Sequence, residues 1–85
     1  MTEFQTRVYN IVKKIPEGKV MTYKEVAEKI DSPKAFRAVG NVLNKNRFVG
    51  VPCHRVVKSN GDVGGYAWGT QNKSKLLIQE GWLTE

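Results

Sequence analysis

A nucleophile and a base stand side by side in this chain. Cys53, its single cysteine, and His54, its single histidine, lie within Pro52-Cys53-His54-Arg55-Val56-Val57. A thiol attacks only as its thiolate, and a free cysteine with a pKa near ~8.5 is only a few per cent ionised at neutral pH. An imidazole that takes the proton and a guanidinium that favours the anion are the groups such a thiol needs. Read as a strand, residues 53 and 54 point to opposite faces, so the base reaches the sulfur only through a bridging group. The bland alternative is a small buried hydrophobe beside a structural histidine.

Eighty-five residues make one domain, spanning 1–85. A chain of this size buries roughly 60–65% of its unfolded surface, so its core is modest. A single cysteine closes no internal disulfide, which fits a reducing, cytoplasmic setting, nucleoid-associated in a prokaryote. One cysteine and one histidine do not make a tetrahedral zinc site, and no apolar run is long enough for a membrane span.

The net charge is +6, and its placement says more than its size. No acidic residue occurs from Ser32 to Gly61, a block that holds Lys34, Arg37, Lys45, Arg47, Arg55 and Lys58. The other eight basic residues are balanced by eight acidic ones. A one-sign block around the candidate nucleophile reads as a nucleic-acid footprint; its alternative is a solvated basic face.

The elements that must position these residues follow from periodicity and punctuation. Thr2 and Gln5 have capping-box spacing, and Phe4, Val8, Ile11, Val12 and Ile15 recur at helical intervals, predicting a helix over 3–14. Thr22 and Glu25 open a second, short helix near 23–30. Ser32 as cap and Pro33 at the first helical position predict a third helix running to Asn44. Two short helices joined by a tight turn, the second one basic, read as a helix-turn-helix. Val56-Val57-Lys58 and Val63 flank Asn60-Gly61, the strongest short hairpin signal, so a small β-wing is expected. A last helix over 72–80 carries Leu76, Leu77 and Ile78 and ends at Gly81. The expected fold is mostly α with a small β-wing: a winged helix-turn-helix in a single domain.

At this point the chain resembles the C-terminal, DNA-binding and active-site domain of the O6-alkylguanine-DNA alkyltransferases. The resemblance covers nearly the whole chain. It rests on Val20-Met21-Thr22-Tyr23, Arg37-Ala38-Val39-Gly40, Asn46, Pro52-Cys53-His54-Arg55-Val56, Gly64-Gly65-Tyr66 and Glu80-Gly81. It implies that Cys53 is the permanent acceptor of the alkyl group, held where an extruded purine can meet it. His54 would act as base through a bound water, and Glu80 would orient the imidazole. Tyr23 would give a proton to the departing guanine, and Asn46 would hold the turn before the active-site loop. Arg37 would fill the gap left by the flipped base. Ala38 and Gly40 would let the helix approach the minor groove closely, while Lys34, Lys45, Arg47, Arg55 and Tyr23 complete the DNA contacts. Tyr66, Ala67 and Trp68 would form the alkyl pocket. The implied partner is double-stranded DNA containing O6-alkylguanine, with no cofactor and no metal, the protein acting once as a monomer. Plainer roles stand beside these: Tyr23 as packing, Glu80 as a solvated carboxylate, Arg37 as a phosphate contact.

The chain departs from the family in several places. Members are typically longer, with an N-terminal domain, and the 46–53 loop looks shorter here by about one residue. Ala67 stands where serine is common and Trp68 where many relatives have glycine, so methyl adducts are expected to react faster than benzyl adducts. Two rival functions remain. Alkyltransferase-like proteins bind alkylated guanine without repairing it and hand the lesion to nucleotide excision repair; in them the cysteine is typically replaced. A winged-helix transcription factor with an incidental cysteine is the third class.

Overall fold

Local chemistry sets the starts of the first two helices. The computed structural model describes residues 2–45 and 50–83. Helix α1, Glu3–Val12, opens on the expected capping box: the Thr2 hydroxyl accepts from the Gln5 amide while the Gln5 side chain accepts from the Thr2 amide. Val8 and Val12, one turn apart, are fully buried. The two-residue strand β1, Met21–Thr22, leads directly into α2, Tyr23–Lys29, whose Thr22/Glu25 box has the same two bonds.

Helix α2 ends in a Schellman motif. Ser32 N–H bonds to Ala27 O at 2.9 Å and Asp31 N–H to Glu28 O at 3.1 Å. Asp31 takes the left-handed conformation, φ 59°, which aspartate tolerates better than most residues. Arg7 of α1 donates to the Ile30 carbonyl at 2.5 Å and satisfies another helix-end acceptor. The next helix starts later than expected. Residues 32–35 form a turn, closed by Ala35 N–H to Ser32 O at 2.8 Å, and α3 runs over Phe36–Asn44 with Ala35 at its N-cap, rather than from Pro33. Val39 and Leu43 turn inward, leaving residues 36, 37, 40, 41 and 44 as a stripe on another face.

Cys53–Arg55 form a single 3₁₀ turn, not the strand that the sequence suggests, and β2, Val56–Val57, follows at once. The β-wing is likewise corrected. β2 pairs with β1 in parallel, Met21 opposite Val56 and Thr22 opposite Val57. The Asn60-Gly61 signal does make a turn: Gly61 N–H bonds to Lys58 O, Lys58 N–H to Asp62 O, and Gly61 has φ 94°. No ladder continues from it among the described residues. Val63 is followed by Gly64, at φ 78°, and by Gly65, which remove the extended backbone and side chains a second strand needs.

Helix α4, Thr70–Gln79, starts two residues earlier than expected and stops as expected, on a second Schellman motif at Gly81, φ 86°. The molecule is mostly helical with one small parallel sheet. Its core gathers Val8, Val12, Val26, Val39, Leu43 and Val56, and Cys53 packs among them.

Candidate active site and nucleic-acid interface

The 3₁₀ turn decides how Cys53 and His54 are presented. Successive side chains on such a turn diverge by about 120° rather than 180°, so the two are not on opposite faces. Both are buried, Cys53 with 4% and His54 with 8% of their surface exposed. The thiol is therefore not an open surface group, as expected for direct access by an extruded base; its packing in the core removes it from solvent.

Helix α4 delivers Glu80 to this turn. Gly81 ends the helix so that Glu80 is its C-cap residue, and Glu80 Oε2 lies 2.7 Å from His54 Nε2. Arg55 grips the same carboxylate in a fork, Nε to Oε1 at 2.8 Å and Nη2 to Oε2 at 2.9 Å, and donates from Nη1 to the Ile15 carbonyl at 2.9 Å. These hydrogen bonds, Arg55 foremost and then His54, hold the Glu80 carboxyl down at about 2 against the opposing effect of burial. An ionised carboxylate only accepts, so Nε2 of His54 carries the hydrogen in a neutral ring, and Nδ1 is left as the acceptor. Tyr66 meets the same ring edge-on, with centroids 6.3 Å apart. Arg55 is thus put to a use other than the expected DNA contact: its donors face inward, and its side chain is 17% exposed.

The same interior holds a residue that sequence reasoning missed. Lys73 of α4 is fully buried. Its ammonium donates to Val56 O at 2.5 Å and Gly65 O at 3.0 Å, and lies 3.3 Å from the Tyr23 hydroxyl. Burial pushes it down to about 8, while the negative charge of Cys53 pulls the other way. That coupling is mutual: a cation which feels the thiolate also stabilises it. Burial first, and then Cys53, raises the phenols of Tyr9, Tyr23 and Tyr66, which come from three different parts of the chain. The one signal for Lys73 was its position four residues before Leu77 on the buried stripe of α4.

Tyr23 joins this interior to an open cavity of about 820 Å³ between α3 and the 58–60 turn. Its hydroxyl also lies 3.4 Å from Gly65 O. A Cβ on Gly64 would fall 2.9 Å from that hydroxyl, so a side chain there would displace the tyrosine. A Cβ on Gly40 would meet the Tyr23 ring at an ordinary 3.8 Å, so packing within the chain does not demand glycine at that place. Arg37 and Gly40 line the cavity together with Lys24, Lys58 and Phe36, and among the described residues no carboxylate does.

The remaining expected residues divide clearly. Lys34, Ala38 and Lys45 are exposed, before, on and after α3. Ala67 is half-buried and Trp68 is 49% exposed, its carbonyl accepting from Asn72 Nδ2 at 2.6 Å. Asn46 and Arg47 lie outside the described residues. The structure therefore brings Cys53, His54, Glu80, Tyr23 and Tyr66 together, and sets Arg37 and Gly40 on the cavity beside them.

Comparison with known proteins points in one direction. Residues 3–82 match the family model described as 6-O-methylguanine DNA methyltransferase, DNA binding domain. The chain is 51% identical over 81 residues to a methylated-DNA–protein-cysteine methyltransferase of Methanosarcina acetivorans, covering 94% of this chain and 52% of that protein. It is 46% identical over 80 residues to the protein of the same name from Candida glabrata, covering 93% of this chain and 39% of the other. The chain thus spans about half the length, or less, of these curated relatives. Among solved structures, Mycobacterium tuberculosis OGT in complex with DNA superimposes with a TM-score of 0.89 at 41% identity, covering 94% of this chain and 49% of that one. Schizosaccharomyces pombe Atl1, in complex with damaged DNA containing O6-carboxymethylguanine, does so with a TM-score of 0.84 at 37% identity, covering 95% and 78%.

Proposed function

This chain belongs to the family of the 6-O-methylguanine DNA methyltransferase DNA-binding domain, and we propose that it repairs O6-alkylguanine in duplex DNA by taking the alkyl group onto Cys53. The observation that carries this reading is the 2.7 Å pairing of His54 with an ionised Glu80, next to Cys53 on one 3₁₀ turn. The buried Lys73, bonded to Tyr23, is electrostatically coupled to the same thiol. An O6-alkyl carbon is inaccessible inside a stacked duplex, so the nucleotide is extruded first. Helix α2, the turn and α3 act as a helix-turn-helix with the 58–62 turn as a short wing. The α3 stripe lies in the minor groove and Arg37 enters the stack.

The chemistry then balances without a cofactor. Cys53 loses its proton to Nδ1 of His54, through a water, and Glu80 stays ionised and stabilises the imidazolium. The sulfur forms a bond to the alkyl carbon as the carbon–O6 bond breaks. Tyr23 supplies a proton to the purine, so that guanine leaves neutral. Lys73 faces both the thiolate and the tyrosine and offsets negative charge on each. A thioether is a stable product, so each molecule acts once. Because Cys53 is nearly buried, the base gains access only when the side chains around it yield. In the cell this is the work of a cytoplasmic monomer.

A second reading is favoured by that same burial and by the likeness to Atl1: a lesion sensor that binds O6-alkylguanine and passes it to nucleotide excision repair. Intact mass separates the two. After incubation with a duplex carrying O6-methylguanine, the repair reading expects one added methyl, lost in Cys53→Ala. Tight binding at unchanged mass would establish the sensor instead.

A further inference from the structure

Phe36 is the large apolar side chain of α3 that the fold leaves in water. Phe4, Tyr9, Tyr23 and Tyr66 pack against the core, whereas Phe36 keeps 44% of its surface exposed. It stands at the first residue of α3, immediately before Arg37, and lines the 820 Å³ cavity with Arg37, Gly40 and Tyr23. Helix formation does not call for it: phenylalanine is a middling helix former and supplies no cap. The lysines and arginine around the cavity match phosphate, but a phenyl ring does not. What a duplex offers a phenyl ring is the face of a base, reached from the groove by opening a base step.

We propose that Phe36 is an apolar wedge that enters the base step beside the nucleotide extruded past Arg37 and stacks on its neighbour. The inference rests on the DNA reading above and adds a residue to it. A wedge of this kind partly unstacks the duplex and stabilises the open state. It therefore matters for a lesion held in a duplex and far less for one in a single strand, where little stacking has to be broken.

The test compares the whole chain with Phe36→Ala and Phe36→Trp. Each binds an oligonucleotide carrying O6-methylguanine with 2-aminopurine as its neighbour, as a duplex and as a single strand. The ratio of duplex to single-strand affinity should fall about tenfold in Phe36→Ala and recover in Phe36→Trp, whose ring stacks at least as well. The change in 2-aminopurine emission on duplex binding should be lost with the ring and return with tryptophan. An unchanged ratio, or equal weakening on both substrates, overturns the wedge. If wild type binds lesion duplex and gains the methyl while Phe36→Ala keeps the ratio, only the wedge fails. If wild type binds no duplex, the wedge and the DNA reading fail together.

Discussion

The Glu80 carboxylate is held by three bonds from two partners, and its titration should be visible in the stability of the fold. The Arg55 fork and the His54 hydrogen bond hold its carboxyl at about 2, against 4.5 for an ordinary glutamate. The unfolded chain therefore takes up this proton at a higher pH than the folded one. The resulting stabilisation is fully present above about pH 4.5 and disappears as pH falls towards 2. The side chain is only 9% exposed, so solvent screens the interaction little, and the contribution is up to about 3 kcal/mol. That is a large share for a domain of this size. Urea unfolding at pH 5, 4 and 3 should show wild type weakening steeply, while Glu80→Gln begins less stable at pH 7 and changes less with acid. Parallel pH profiles would show that the carboxylate is not so held. The pair was legible in the sequence only as far as types and the family pattern allowed. Two residues 26 apart carry no spacing signal for contact, and nothing local marked Arg55 as the group that fixes the charge on Glu80.

At the scale of elements, both capping boxes and the glycine stop of α4 were readable, because each is made by local bonds between residues three to five positions apart. What was not readable depended on tertiary partners. The hairpin signal at Asn60-Gly61 gave its turn, but Val56-Val57 found its partner in β1, far back in sequence. Ser32 was a plausible cap, but a turn closed on its carbonyl comes first and α3 starts only at Phe36. Lys73 was hidden by type, since lysines are seldom buried. It links α4 to β2 and to Gly65, and it sits on Tyr23. Its ammonium is pushed down to about 8, whereas a lysine in the unfolded chain titrates near ~10.4. Between those values the unfolded chain keeps the proton longer, so this group makes the fold more stable as pH rises from 8 to 10. Over the same range the cation coupled to Cys53 is lost, so methyl transfer should slow. The urea midpoint and the transfer rate should therefore move in opposite directions above pH 8 in wild type. In Lys73→Met the rise in midpoint should be absent. A midpoint that climbs equally in both proteins would assign it to other groups.

For the whole molecule, the sequence located the charge correctly but not every charge that DNA would meet. The excess lies between Ser32 and Gly61, and the rest of the chain is balanced. Folding then withdraws Arg55, whose donors are committed to Glu80 and Ile15. With Arg37 assigned to the stack, three described cations of the block remain to meet phosphate: Lys34, Lys45 and Lys58. Each phosphate neutralised on a duplex contributes about −0.9 to the slope of log affinity against log salt, so a slope of about −2.7 is expected. Binding should then weaken about 40-fold between 50 and 200 mM salt. Lys34→Gln and Lys58→Gln should each make the slope shallower by about one and weaken lesion-bearing and undamaged duplexes alike, since phosphate contacts carry no sequence information. Lys13→Gln removes an exposed charge just beyond α1, outside the block, and should leave the slope where it was. Equal effects from all three substitutions would mean that DNA responds to net charge and not to this face, and the assignment of α3 and the 58–60 turn as the nucleic-acid surface would have to be given up.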